Sequence, residues 1–180
     1  MKILLITSIY LPHIGGIEFY VKNLAASLVS KGHDVSVFVG DRFVKSVSDS
    51  LEYGIRTVRV PVFYFKGMTY LRSKADIKIL ENELSSAEVV HLNDVKFLYK
   101  FLAQKKSIYG YKLFFSSHGF IFHTKSFLFL KKLYMKRMSK YSGFYNLNYC
   151  VSENDLKIAK DFKFSNLKML IPGCDVKKFS

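Results

Sequence analysis

The sequence predicts an α/β fold: a doubly wound, mostly parallel sheet with helices on both faces. Two observations carry this. Short β-rich apolar runs alternate with segments of helical period along the 180 residues, as a parallel sheet with crossover helices requires. Several of those runs are apolar without alternation, which suits strands buried on both faces. The apolar content of 49% supplies a full core for one domain. At this length folding buries roughly 70% of the extended chain's surface.

The runs fall in a regular order. Strands are predicted at Lys2–Thr7, Asp34–Val39, Ile55–Val62, Glu88–Leu92, Leu113–Ser117, Asn148–Ser152 and Lys168–Ile171. The clearest helix is Ile17–Lys31, where Ile17, Val21, Leu24 and Leu28 share one face with Tyr20 and Ala25. Gly32 ends it by accepting a left-handed conformation, and His33 just after it is read as structural. Further helices are predicted at Tyr70–Leu84, Val95–Lys105, Ser126–Tyr141 and Glu153–Lys160. Asp41–Gly54 is polar and irregular and reads as a loop returning through a hairpin. Ile171-Pro172-Gly173-Cys174-Asp175 reads as a strand breaking into a turn. The expected organisation is therefore one domain over 1–171, with 172–180 as the start of a linker to a second domain.

Composition removes several classes. Two cysteines, Cys150 and Cys174, stand in no metal-like spacing, which suits a reducing cytoplasm. Met1–Leu11 has one Lys and an apolar run but no small-residue cleavage site, so it reads as a buried strand and not a secretory signal. No stretch approaches the roughly 20 apolar residues of a membrane span. No H-E-x-x-H, close Cys pair or D-x-D supports a metal, and no G-x-S-x-G supports a serine nucleophile. No metal and no cofactor are expected. The 28 Lys and Arg against 14 Asp and Glu give a net charge of +14. That exceeds the roughly 2–8 that keeps a small domain soluble, so an anionic partner is indicated.

Ligands of open parallel sheets bind outside the carboxyl ends of the strands, so the residues following each strand are the candidates. Gly15-Gly16 follows the first strand and leads into a helix. Paired glycines let backbone N–H groups approach a phosphate, and the helix dipole adds roughly 0.3–1 kcal/mol; a tight turn alone has the same appearance. The pattern is neither G-x-G-x-x-G nor a P-loop, which disfavours dinucleotide and ATP sites. His118 and Gly119 follow the Leu113–Ser117 strand, and His91 ends the Glu88–Leu92 strand. An imidazole there can donate to a sugar hydroxyl or a phosphate.

The strongest partner signal is Ser126–Tyr141. Lys131, Lys132, Lys136, Arg137 and Lys140, with Lys125 before them, are interleaved with Phe127, Leu128, Phe129, Leu130, Leu133, Tyr134, Met135 and Met138. A basic amphipathic helix of this kind can lie on an anionic bilayer, each charge contributing roughly 1 kcal/mol. A core-packed helix with a solvated basic face has the same pattern. Nucleic acid is the third reading, but no binding motif accompanies the charge, and it is not expected as a partner.

Taken together these pieces resemble glycosyltransferase family 4, the retaining transferases of GT-B fold. The likeness runs through Lys2–Thr7, Pro12, Gly15-Gly16-Ile17-Glu18, Leu24, Leu28 and Lys31-Gly32-His33-Asp34-Val35. It continues at Val89-Val90-His91, Ser117-His118-Gly119, Val151-Ser152 and Ile171–Val176 with Phe179. The resemblance implies a Rossmann-like domain on the acceptor side of a cleft between two such domains. A nucleoside-diphosphate sugar is the implied donor. Gly15 and Gly16 would approach the donor diphosphate, and His118 would be the catalytic-site contact to the transferred sugar. His91, Gly119 and His123 would contact substrate. Pro172-Gly173-Cys174-Asp175 stands where the family usually has Pro-Asn-Gly-Val-Asp. The basic pair that neutralises the leaving diphosphate, and an E-x7-E motif, would belong to the second domain, so the 180 residues alone are expected to transfer little. His118–Thr124 resembles a subgroup that adds mannose or a related sugar to lipid-linked oligosaccharides in exopolysaccharide assembly. That implies a lipid-linked oligosaccharide or polysaccharide acceptor and a cytoplasmic protein held peripherally on the inner face of the membrane; a GT-B enzyme with a soluble acceptor is the enzymatic alternative. The rival expectation is a non-catalytic basic module that binds anionic membrane or nucleic acid.

Overall fold

The computed structural model describes residues 1–66, 68–121, 127–171 and 173. Its elements in chain order are β1 (Lys2–Thr7), α1 (Gly16–Ser30), β2 (Asp34–Asp41), β3 (Ser48–Glu52), β4 (Ile55–Phe65), β5 (Met68–Leu71) and α2 (Lys74–Ser86). There follow β6 (Val89–Leu92), α3 (Tyr99–Tyr109), β7 (Lys112–Ser117), α4 (Leu128–Ser139), β8 (Leu147–Cys150), α5 (Glu153–Asp161) and β9 (Leu167–Met169). The strands lie in the order β3-β4-β2-β1-β6-β7-β8-β9, with β5 paired to the far end of β4. From β4 to β9 neighbouring strands run parallel; only β3 and β5 run antiparallel to β4.

Successive strand residues point to opposite faces, and each face has its own core. Ile3, Leu5, Val35, Val37 and Val39 pack on Val21 and Ala25 of α1. Leu4, Ile6, Phe38, Val58, Val90, Leu92, Leu113 and Phe115 pack on Leu80 and Leu84 of α2, Leu102 of α3, Met135 and Met138 of α4 and Ala159 of α5. This is the expected doubly wound sheet with helices on both faces. α1 ends as expected, with Gly32 at φ +78 and the His33 N–H returning to the Leu28 carbonyl at 3.2 Å, the bond pattern of a Schellman cap.

Two helices start four residues later than expected. Tyr70 lies in β5 and not in a helix, because α2 starts only at Lys74. Ser73 caps it: its hydroxyl accepts from the Asp76 N–H at 3.1 Å, and Asp76 accepts from the Ser73 N–H at 2.9 Å. Such a cap stabilises a helix by about 1 kcal/mol. The helix expected from Val95 starts at Tyr99, because Asp94 organises the preceding turn, accepting from the Lys96 N–H at 2.8 Å. The hairpin expected in Asp41–Gly54 is β3 turning into β4 through Tyr53-Gly54.

Candidate active site

β1 is the strand at which the order reverses, with β2 parallel on one side and β6 on the other. The crevice outside the carboxyl ends at such a switch is where α/β sheets hold ligands. A cleft of about 320 Å³ opens there, within the roughly 300–1,000 Å³ of small-molecule sites. Ser8, His13 and Ile17 line it from the segment after β1, Asp41–Phe43 from the end of β2, Asn93–Lys96 from after β6, and His118 with Gly119 from after β7.

His118 is held from behind. The carboxylate of Asp155, 2% exposed at the start of α5, accepts from the Ser117 hydroxyl at 2.8 Å, the Gly119 N–H at 3.1 Å and the Phe120 N–H at 3.3 Å. Residues on both sides of His118 are thus tied to one buried anion. The His118 ring packs on Tyr20 of α1 with centroids 4.5 Å apart. Burial pushes its pKa down to about 4, against the opposing pull of the Asp155 charge, so the imidazole is neutral near pH 7. Its Nε2 is buried without a hydrogen-bond partner, as is Oδ1 of Asn93, a residue 0% exposed that also lines the cleft. Buried polar atoms are nearly always paired. Both atoms belong to residues that line the cleft, which marks it as a place for a hydrogen-bonding ligand.

The sequence-predicted residues separate on this geometry. His118 and Gly119 line the cleft together with Ile17 of α1. His91 does not line it. It lies one layer behind on the α1 face, its Nε2 2.8 Å from the Ser116 hydroxyl, which the Tyr20 hydroxyl also engages. Desolvation pushes the His91 pKa down to about 3, and the nearby His118 adds to the effect. Among the described residues His91 is tied to His118 by way of Ser116 and Tyr20. Gly15 and Gly16 form the start of α1 beside Ile17. A Cβ on Gly15 would lie 2.5 Å from the Glu18 carboxylate, which folds back over it, whereas one on Gly16 would meet nothing within 4 Å. A side chain at 15 would therefore have to displace the Glu18 carboxylate, while one at 16 would meet open space. His123 and Lys125 lie outside the described residues.

The basic residues are set apart from the cleft. Lys132, Lys136, Arg137 and Lys140 are exposed, with Lys131 half-buried, on and just after α4. The same segment leaves Phe127, Leu128, Phe129, Leu130 and Leu133 exposed, Phe129 by 77%. Only Met135 and Met138 of this helix are buried in the core. Among the described residues no group of three or more His, Cys, Asp or Glu side chains could hold a metal ion.

Asn93, Asp94 and Asp155 were missed from sequence. Asn93-Asp94 directly follows a strand and was open to the same strand-end argument as His118. Asp155 was not, because its partners lie 35 to 38 residues away. Asp155→Ala should cost about 2–3 kcal/mol, because it leaves a hydroxyl and two N–H groups buried without an acceptor. A lowered urea midpoint checks this, with Asp155→Asn, which keeps one acceptor oxygen, losing less.

The comparisons with known proteins agree with this geometry. Two relatives are GDP-mannose:cellobiosyl-diphosphopolyprenol alpha-mannosyltransferases, one from Xanthomonas oryzae pv. oryzae (strain PXO99A), 29% identical over 183 residues, and one from Xanthomonas campestris, 29% identical over 188 residues. Each alignment covers 100% of this chain and 48% of the relative, so the chain spans about half the length of the curated relatives it matches. Among solved structures, sucrose-phosphate synthase from Thermosynechococcus elongatus superposes with TM-score 0.69 at 14% identity, over 98% of this chain and 49% of that one. The catalytic domain of starch synthase IV from Arabidopsis thaliana, bound to ADP and acarbose, does so with TM-score 0.62 at 15% identity, over 99% and 52%. These likenesses establish the fold, the Rossmann-like half of a GT-B architecture. The profile of glycosyltransferase family 4 matches residues 14–178, most of the sheet and the whole of the cleft's helical side, and the chain belongs to that family.

Proposed function

We propose that this chain forms the acceptor side of a retaining glycosyltransferase that moves a sugar, mannose by preference, from a nucleoside-diphosphate sugar to a lipid-linked acceptor. The observation that carries the reading is the pair of unpartnered polar atoms, His118 Nε2 and Asn93 Oδ1, in a cleft at the switch point of the sheet. The names of the relatives supply the donor and acceptor class. A neutral His118 orients the transferred sugar as a hydrogen-bonding group. Backbone N–H groups at Gly16 and the start of α1 face the leaving diphosphate as its charge develops. A second Rossmann-like domain supplies the remaining donor contacts, and no metal or cofactor takes part.

The protein sits peripherally on the cytoplasmic face of the membrane. No helix among the described residues is long and apolar enough to cross a bilayer, while the exposed Phe127–Leu130 turn beside Lys132, Lys136 and Lys140 suits its surface. The test is mannosyl transfer from GDP-mannose to cellobiosyl-diphosphopolyprenol by the complete enzyme, with vesicle binding measured in parallel. His118→Ala should lower turnover by about 10²-fold or more and leave binding to anionic vesicles unchanged. Phe129→Glu should show the reverse order of effects. Equal loss of both properties in His118→Ala makes it a structural residue. Robust transfer by the 180 residues alone contradicts the division of the site between two domains.

A further inference from the structure

A second cavity, of about 470 Å³, lies on the α3–α4 side of the molecule. Its walls are apolar, with Leu71 of β5, Leu98 before α3 and Phe101 of α3 among them, and three cations, Lys96, Lys100 and Arg137, stand in the same lining. None of the three belongs to an ion pair among the described residues. Thr69 and Lys96 line both this groove and the cleft of His118, so the two cavities are neighbours that share those residues as a common rim. The junction is braced, since the Tyr134 hydroxyl of α4 donates to the Val95 carbonyl at 2.5 Å and Thr69 donates its N–H to the Lys96 carbonyl at 3.2 Å.

An apolar groove with three cations in its lining, one of them shared with a neighbouring polar cleft, has the parts that match a particular ligand: a hydrocarbon chain, then a strongly anionic linkage, then a sugar. A fatty acid brings a single charge and no sugar beyond it. A soluble oligosaccharide leaves the apolar walls empty. Building on the proposed transfer to a lipid-linked acceptor, we infer that the groove between β5, α3 and α4 holds the isoprenoid chain of a diphosphate lipid, with Lys96, Lys100 and Arg137 on its diphosphate and the attached sugar directed past Thr69 into the cleft. α4 serves both ends of the path. Its exposed first turn suits the bilayer, and its Tyr134, Arg137 and Met138 line the groove, so the helix that would touch the membrane is also a wall of the groove.

The probes are farnesyl diphosphate, farnesol and inorganic diphosphate, titrated calorimetrically into the chain below micellar concentrations. Farnesyl diphosphate should bind at least about tenfold more tightly than either of the others, because only it engages both parts of the groove. The double variant K100E/R137E should lose about tenfold or more for farnesyl diphosphate and leave farnesol unchanged. Gln104→Trp, which fills the groove from an exposed position on α3, should weaken both farnesyl probes and leave inorganic diphosphate unchanged. K132E/K136E should reduce binding to anionic vesicles and leave farnesyl diphosphate within about twofold, which separates the groove from general attraction to a charged surface. Inorganic diphosphate binding as well as farnesyl diphosphate, or indifference to Gln104→Trp, overturns the inference. Transfer to a lipid-free acceptor with no farnesyl diphosphate binding leaves the transferase reading standing and removes only the groove. Farnesyl diphosphate binding without transfer does the opposite.

Discussion

Arg59→Met should lower the stability of the protein by about 3–5 kcal/mol, the cost of breaking a buried ion pair by removing one partner. Arg59 is 6% exposed in the middle of β4. Its guanidinium meets Asp41 of β2 at 2.9 Å and Glu52 of β3 at 2.6 Å, and it donates to the Leu11 carbonyl in the loop after β1. Methionine fills a similar volume, so little of the loss comes from packing. The loss comes from the buried Asp41 carboxylate, left without its counter-charge, and from a carbonyl left without a donor. The hydrogen bond from Arg59 holds the Glu52 pKa below its ordinary value. A carboxylate with a lowered folded pKa contributes stability above its unfolded pKa and loses it as pH falls, so the Arg59→Met penalty should shrink in acid. Urea unfolding at pH 7 and pH 4 measures both effects, and R59M/D41N should recover part of the loss. A midpoint unchanged in Arg59→Met shows that the cluster is solvated and contributes little. Asp41 lines the cleft and Leu11 lies four residues before Gly15, so the cluster also ties the end of β2 to the segment that leads into α1.

The same contrast between local and distant causes explains what could be read from the sequence. β1, α1 and β2 were legible because each is fixed locally, by an unbroken apolar run, by the period of Val21, Leu24 and Leu28, and by Gly32. The crossing of β5 over the end of β4 was not, since Tyr70 and Leu71 fit a helical period as well as a strand. A better boundary was present in Ser73-Lys74-Ala75-Asp76, the spacing of a capping box. Within the site, His118 was legible because strand ends hold ligands whatever the rest of the fold does. His91 does not obey the same positional rule: it lies inside β6, one residue short of its end, where its ring meets Ser116, whereas His118 is the first residue past β7. Asp155 and Arg59 act through partners far away in sequence, and no local pattern marks them. The basic helix was legible in composition only. That Phe127, Phe129 and Leu133 point outward while Met135 and Met138 point inward depends on how α4 docks, which periodicity left open.

Acid should unfold this protein through its two paired histidines, and the effect should be large. His91 and His118 have folded pKa values of about 3 and about 4, against 6.5 unperturbed. Both are lowered chiefly by desolvation. Around them stand the hydroxyls of Tyr20 from α1, Ser116 from β7 and Tyr149 from β8, with Asp155 from α5 as the one carboxylate acting on His118. Between pH 6.5 and about 4 the unfolded chain binds protons at both sites that the native state does not. Stability therefore rises with pH across that window and is lost as pH falls through it, by at most about 1.4 kcal/mol per pH unit for each histidine. Two histidines acting together can remove about 5 kcal/mol between pH 6 and pH 4, comparable to the whole stability of many domains. His91→Gln keeps a hydrogen-bonding group beside Ser116 and cannot titrate. It should flatten the pH dependence by about half and leave the slope due to His118 and the carboxylates. A variant whose stability falls with acid in parallel with the parent removes His91 as a source of the acid sensitivity, with His118 and Glu52 the next groups to replace.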